Sequence, residues 1–235
     1  MNCFDLRTSM IRIKRASDRG YAHFGWLESR HAFSFGSYFD PEWMGISELR
    51  VANEDLLHPG AAIDPSKHQD MEIISVILDG KNLHTDSLGS RKLLEGRSLQ
   101  LLSTGTGTEF TEQNASLENN LRMLQFWIVP AKTGNKPRYQ SRKLLSREGV
   151  QLIVSPDGRD DSLQIDQDAE MYQFRLQHTS YGLPATEHGF LFLLRGELEV
   201  NGSLLQAGDA MLFENEPLIS LRGISRAEGF YFTLP

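Results

Sequence analysis

A single cysteine, Cys3, leaves the 235-residue chain with no partner for an intramolecular disulfide, so any fold must be held by its core and its hydrogen bonds. Its place near a terminus reads as an incidental free thiol rather than a redox group. Long hydrophobic runs are missing too: none approaches the roughly 18 apolar residues of a membrane-spanning helix, and none has the make-up of a secretory signal. The expectation is a cytoplasmic protein with no membrane partner. A cationic excess is also absent. With a net charge of -7 the chain lacks the electrostatic footprint that draws proteins to nucleic acid, and no direct nucleic-acid binding is expected. Helical periodicity is nearly absent as well. What remains, at 40% hydrophobic and 23% charged, is an ordinary globular composition with material for a sizeable core.

That material is arranged as short β-branched and aromatic runs separated by Gly, Asp and Asn, such as "EIISVILDG", "SLQLLSTGTG" and "RMLQFWIVP". A second series begins at "VQLIVSPDG" and continues through "FLFLLRG", "AMLF" and "GFYFTL". Between the two lies "PAKTGNKPRYQSRK", polar, basic and broken by prolines, which reads as a linker. Two domains are expected, residues 1–133 and 134–235. Each half also contains an apolar strand, a glycine, a polar hairpin, a second glycine and another apolar strand. Gly80 and Gly196 occupy equivalent places in this weak repeat, as do Gly96 and Gly208. The fold class is therefore all-β, with two antiparallel β-barrels or sandwiches in one chain.

Five ordered segments, "FSFGSYFDP", "ELRVANEDLLHPG", "DMEIISVILDG", "HTDSLGS" and "STGTG", resemble the N-terminal domain of the pirin family. The resemblance implies a bicupin. It also implies a metal site in the first barrel, built in metal-bearing pirins from three histidines and one glutamate. Carried over, the ligand positions fall on Ser66, His68, Phe110 and Glu112. Two of the four are vacated, because Ser66 and Phe110 stand where the family has histidine. Residues at i and i+2 of a strand share a face, so two such pairs on neighbouring strands can converge on one point. His68 and Glu112 remain as residual metal positions, and Glu72 is a possible surrogate ligand if its strand runs regularly from His68. The alternative is a buried hydrogen-bonded His68–Glu112 pair without metal.

The expectation from these losses is that no cofactor is bound, with iron or another divalent metal as the alternative. His84 reads as a hairpin residue, and His23, His31, His58, His178 and His188 show no ligand spacing. No nucleophile–base pattern and no phosphate loop is present. The functional expectation is a non-enzymatic binding or regulatory protein with a lapsed metal site and an unidentified small-molecule or protein partner. The alternative is a metal-dependent dioxygenase of the quercetin type. A metal-free pocket formed by Ser66, His68, Phe110 and Glu112 is a third reading.

Overall fold

The computed structural model describes residues 9–183 and 186–235; Cys3 lies outside them. Twenty-two strands and two single-turn 3-10 helices, Ala16–Asp18 and Arg159–Asp161, make up the regular structure of the described residues. The strands are β1 Met10–Lys14, β2 Gly20–His23, β3 Leu27–His31, β4 Leu49–Leu57, β5 Ala62–His68, β6 Glu72–Asp79, β7 Lys81–Asp86, β8 Arg91–Glu95, β9 Ser98–Ser103, β10 Thr108–Asn114, β11 Leu121–Ile128 and β12 Arg138–Lys143. The remainder are β13 Gly149–Ser155, β14 Leu163–Gln164, β15 Glu170–Leu176, β16 Ser180–Leu183, β17 Thr186–Arg195, β18 Glu197–Val200, β19 Ser203–Gln206, β20 Ala210–Glu216, β21 Ile219–Gly223 and β22 Ala227–Leu234.

The N-terminal unit is a cupin β-sandwich rather than a closed barrel. Its larger sheet runs β12-β9-β6-β11-β4-β3-β2 and its smaller sheet β5-β10-β7-β8. Composition explains the placement: β6, "EIISVILD", buries seven of its eight residues in the interior of the larger sheet, between β9 and β11. By contrast β10 alternates, burying Thr108, Phe110, Glu112 and Asn114 while the residues between them are more exposed. Ile73, Leu102 and Phe110 form one patch of core, and Leu57, Ile77, Leu121 and Met123 another. In the second unit β1-β20-β17-β22-β15-β13 follow one another in the larger sheet, and β16-β21-β18-β19 form the smaller. Phe174, Leu191, Leu193, Phe213 and Tyr231 are among its core residues.

The internal repeat has a stereochemical basis at Gly80 and Gly196. Each has a positive φ, +88° and +78°, and a Cβ there would meet backbone oxygen at 2.5 Å and 2.1 Å respectively. No other residue fits either constraint.

The segment expected to be a linker is not one. Arg138–Lys143 pairs residue by residue with Ser98–Ser103. Ahead of it, the Gly134 N–H donates to Asp70 Oδ1 at 2.7 Å and the Asn135 carbonyl accepts from the Thr106 N–H at 3.0 Å. Consequently the compact units of the described residues do not divide at 133/134: one holds Arg19–Ser146 and Val154–Asp168, the other residues 9–18, Arg147–Ile153, 169–183 and 186–235. Strand β1 belongs to the second because it pairs with β20, from Met10↔Glu214 to Lys14↔Ala210.

Candidate functional site

A cavity of about 290 Å³ opens between the two sheets of the N-terminal unit. The larger sheet supplies its polar wall. Antiparallel register sets Ser29 of β3 opposite Asp55 of β4, and His31 opposite Asn53, while Asn53 also faces Gln125 of β11. All five line the cavity and are buried. Ser29 Oγ donates to Asp55 Oδ1, and His31 Nδ1 lies 3.0 Å from Asn53 Oδ1. Burial, reinforced by the neighbouring Glu54 charge and partly opposed by the Ser29 hydrogen bond, pushes the Asp55 carboxyl up to about 6. The same desolvation lowers His31, against the Asn53 hydrogen bond, and favours its neutral form.

The smaller sheet supplies the facing wall through Ile63, Ser66, His68 and Phe110. Ser66 Oγ and His68 Nε2 are 2.9 Å apart, and burial lowers the His68 pKa. Phe110 is the cross-strand partner of Ser66. Its ring centroid lies 5.4 Å from that of His68, and Trp127 of the larger sheet meets His68 edge-on at 4.9 Å. Phe35 then packs edge-on against Trp127 at 5.9 Å, adding to the aromatic lining.

Glu112 is directed elsewhere. Its Oε1 accepts from Gln100 Nε2 at 2.6 Å and from His84 Nδ1 at 2.9 Å, while Oε2 accepts from Asn82. His84 Nε2 reaches Asp86 Oδ2 at 3.1 Å, and Tyr139 stacks on the imidazole with centroids 4.4 Å apart. A carboxyl group stands at each ring nitrogen of His84. Burial alone would lower its pKa, but Glu112 and Asp86 together raise it.

The expected His68–Glu112 hydrogen-bonded pair is thus replaced by a His84–Glu112 pair, with Phe110 in contact with both imidazoles. His84 is not a turn residue, because β7 continues to Asp86 before the chain reverses. Nor does Glu72 share a strand with His68. The chain turns at Asp70, whose φ is +50°, so His68 ends β5 in one sheet and Glu72 begins β6 in the other. There Glu72 accepts from Ser103 Oγ at 2.8 Å and is not part of the cavity lining.

Two successive cupin sandwiches, the first with a polar cavity between its sheets, define a bicupin. Residues 12–128 match the family described as Pirin, residues 152–234 match the quercetinase C-terminal cupin domain, and the chain belongs to the pirin family. It is 36% identical to the Escherichia coli K12 protein named quercetin 2,3-dioxygenase, covering 96% of this chain and 99% of that one. A pirin-like protein of Caulobacter vibrioides is 34% identical, covering 93% and 97%. The crystal structure of the bacterial pirin YhhW from Escherichia coli in complex with nickel(II) superposes with a TM-score of 0.93 at 37% identity, covering 96% of this chain and 99% of that chain.

That nickel complex corrects the expectation that no cofactor is bound, since a relative of such similarity carries a metal. The family's three-imidazole, one-carboxylate shell does not fit the four residues present here. Ser66 and Phe110 offer no imidazole, and Glu112 is already hydrogen-bonded through both oxygens to His84, Gln100 and Asn82. Among the described residues, no three His, Cys, Asp or Glu side chains form a metal-holding group. Of these four positions, His68 alone offers an imidazole to the cavity.

The polar wall of Ser29, His31, Asn53 and Asp55 was not read from the sequence. Its signal is present in "SRH" and "NED", each with polar residues at i and i+2 inside a strand, where an apolar inward face is the norm.

Proposed function

We infer that this chain is a small-molecule-binding member of the pirin family, with the N-terminal cavity as its binding site and the cytoplasm as its place of action. One observation carries the reading: two polar clusters, Ser66–His68 and Ser29–Asp55–His31–Asn53, face a cavity whose apolar walls include Phe24, Leu27, Phe35, Ile63, Phe110 and Trp127. Apolar walls with a few convergent polar groups are the usual make-up of a ligand site, and the volume lies at the small end of the common range of roughly 300–1,000 Å³. A regulatory role would follow if the bound molecule alters a protein partner.

Trp127 provides the test. Quercetin, used as a probe, should quench tryptophan fluorescence saturably, with the site-specific component lost in Trp127→Phe and the affinity weakened about tenfold in His68→Ala. Saturation that survives both substitutions unchanged would place binding elsewhere.

The second reading, oxygenation of a flavonol, is favoured by the name of the Escherichia coli relative and by the nickel in YhhW. Oxygen uptake with quercetin, after equilibration with nickel(II) or iron(II), separates the two. Turnover abolished by His68→Ala supports the oxygenase, whereas saturable binding without turnover supports the binding protein.

A further inference from the structure

Among the described residues lining the cavity there is no lysine or arginine; its ionisable groups are Asp55, His31 and His68. Asp55 is only 4% exposed. Ser29 is the one described group that donates to its carboxylate, and it does so at Oδ1. A carboxylate has room for about four hydrogen bonds, so this one retains unused acceptor capacity in a space from which bulk water is largely excluded.

The neighbouring groups do not neutralise it. His31 Nδ1 is committed to the Asn53 side-chain oxygen, and burial keeps the imidazole neutral. His68, on the facing sheet, is likewise biased to its neutral form and is bonded to Ser66. Glu54 sits beside Asp55 in sequence, but Arg19 at 2.8 Å and Arg122 hold its charge.

We propose that Asp55, oriented by Ser29, is the specificity-determining residue of the cavity: it accepts a hydrogen bond from a hydroxyl group of an uncharged aromatic ligand. This rests on the cavity being the ligand site. The aromatic walls hold the ring system, and the acceptor requires a donor on its edge. An anionic ligand of the same shape meets the Asp55 charge with no cation in the lining to offset it. Sites that hydrogen-bond a ligand hydroxyl reject analogues lacking it far more strongly than apolar pockets reject a missing methylene.

Four probes of common shape test this: naphthol, methoxynaphthalene, naphthoate and naphthalene, titrated at neutral pH against the full chain with Trp127 fluorescence as the readout. Wild-type protein should bind naphthol at least about tenfold more tightly than methoxynaphthalene or naphthoate, the scale of a hydrogen bond to a charged group. Asp55→Asn should bring naphthol towards methoxynaphthalene and narrow the gap to naphthoate. Ser29→Ala, which keeps the carboxylate but frees it to rotate, should lie between the two proteins.

Equal affinity of wild-type protein for naphthol and methoxynaphthalene overturns the proposal. So does an unchanged preference in Asp55→Asn of native circular dichroism. If Asp55→Asn does not fold, the wild-type ratios and Ser29→Ala decide. Binding of naphthalene and methoxynaphthalene without preference for naphthol leaves the cavity as the ligand site and removes Asp55 from its specificity. Failure of all four probes to quench Trp127 removes the cavity reading, and the role of Asp55 falls with it.

Discussion

At the scale of single residues, Glu72 carries the clearest energetic signature. Burial pushes its carboxyl up to about 7, partly opposed by the Ser103 hydrogen bond and by Arg138; the Asp166 charge acts with burial, and a hydrogen bond with the Asp166 backbone acts against it. Unfolded, the group loses its proton near pH 4.5, whereas folded it keeps the proton until about pH 7. Between these values the unfolded chain binds fewer protons, so the folded state loses stability as pH rises, and the loss levels off above pH 7. Glu72→Gln removes that penalty. Its stability relative to wild type should therefore grow between pH 5 and pH 8, by at most about 3 kcal/mol, in denaturant titrations at the two values. A difference that does not change with pH would mean that Glu72 is solvated. The same scale shows what single-residue matching could and could not deliver. Of the four positions read from segment order, Ser66, His68 and Phe110 line the cavity, whereas Glu112 faces the His84 cluster. The partner of Glu112 was not legible, because "HTDSLGS" contains both the end of a strand and a turn, and His84 falls on the strand side.

Elements were legible in proportion to their hydrophobic pattern. The apolar runs of β6, β9 and β11 stand out in one dimension, and so do the turns that Gly80 and Gly196 make possible. β12 does not: in "RYQSRK" Tyr139 is the one hydrophobic residue, and the segment is a strand because β9 offers it an edge. Register is likewise invisible before pairing, so Ser29 and Asp55, which lie 26 positions apart, could not be recognised as neighbours. The pairing of β12 changes where the chain should be cut. Residues 145–148 are exposed and follow the last ladder bond of β12, whereas 138–143 are held by β9. Brief trypsin treatment should cleave after Arg147 before any bond within residues 133–142, as read by mass spectrometry of the first fragments. Early cleavage after Arg138 or Arg142 would show that β12 opens readily.

For the whole molecule, sequence continuity is a poor guide to the compact units, because a unit recruits distant pieces. β1 is the leading case: it covers the edge of β20, and Ile11 and Ile13 pack partly buried against the second unit's core. Each isoleucine contributes on the order of 1–2 kcal/mol at partial burial. The double variant Ile11→Ser/Ile13→Ser should therefore weaken the second unit locally. Hydrogen exchange would report it as faster exchange of amides in β20, with those of β6 and β11 unchanged; uniform acceleration throughout the chain would contradict it.

The same pairing sets an order of events during synthesis. Met10 is made about 200 residues before Glu214, its partner, which at roughly 5–20 residues per second is an interval of about 10–40 s. All strands of the N-terminal sandwich are synthesised within that time. β1 must wait, an extended strand with its backbone groups unmatched and two isoleucines uncovered. The nascent chain is therefore most vulnerable to mispairing not at its growing end but at β1, and a chaperone that shelters this protein would have its work to do there.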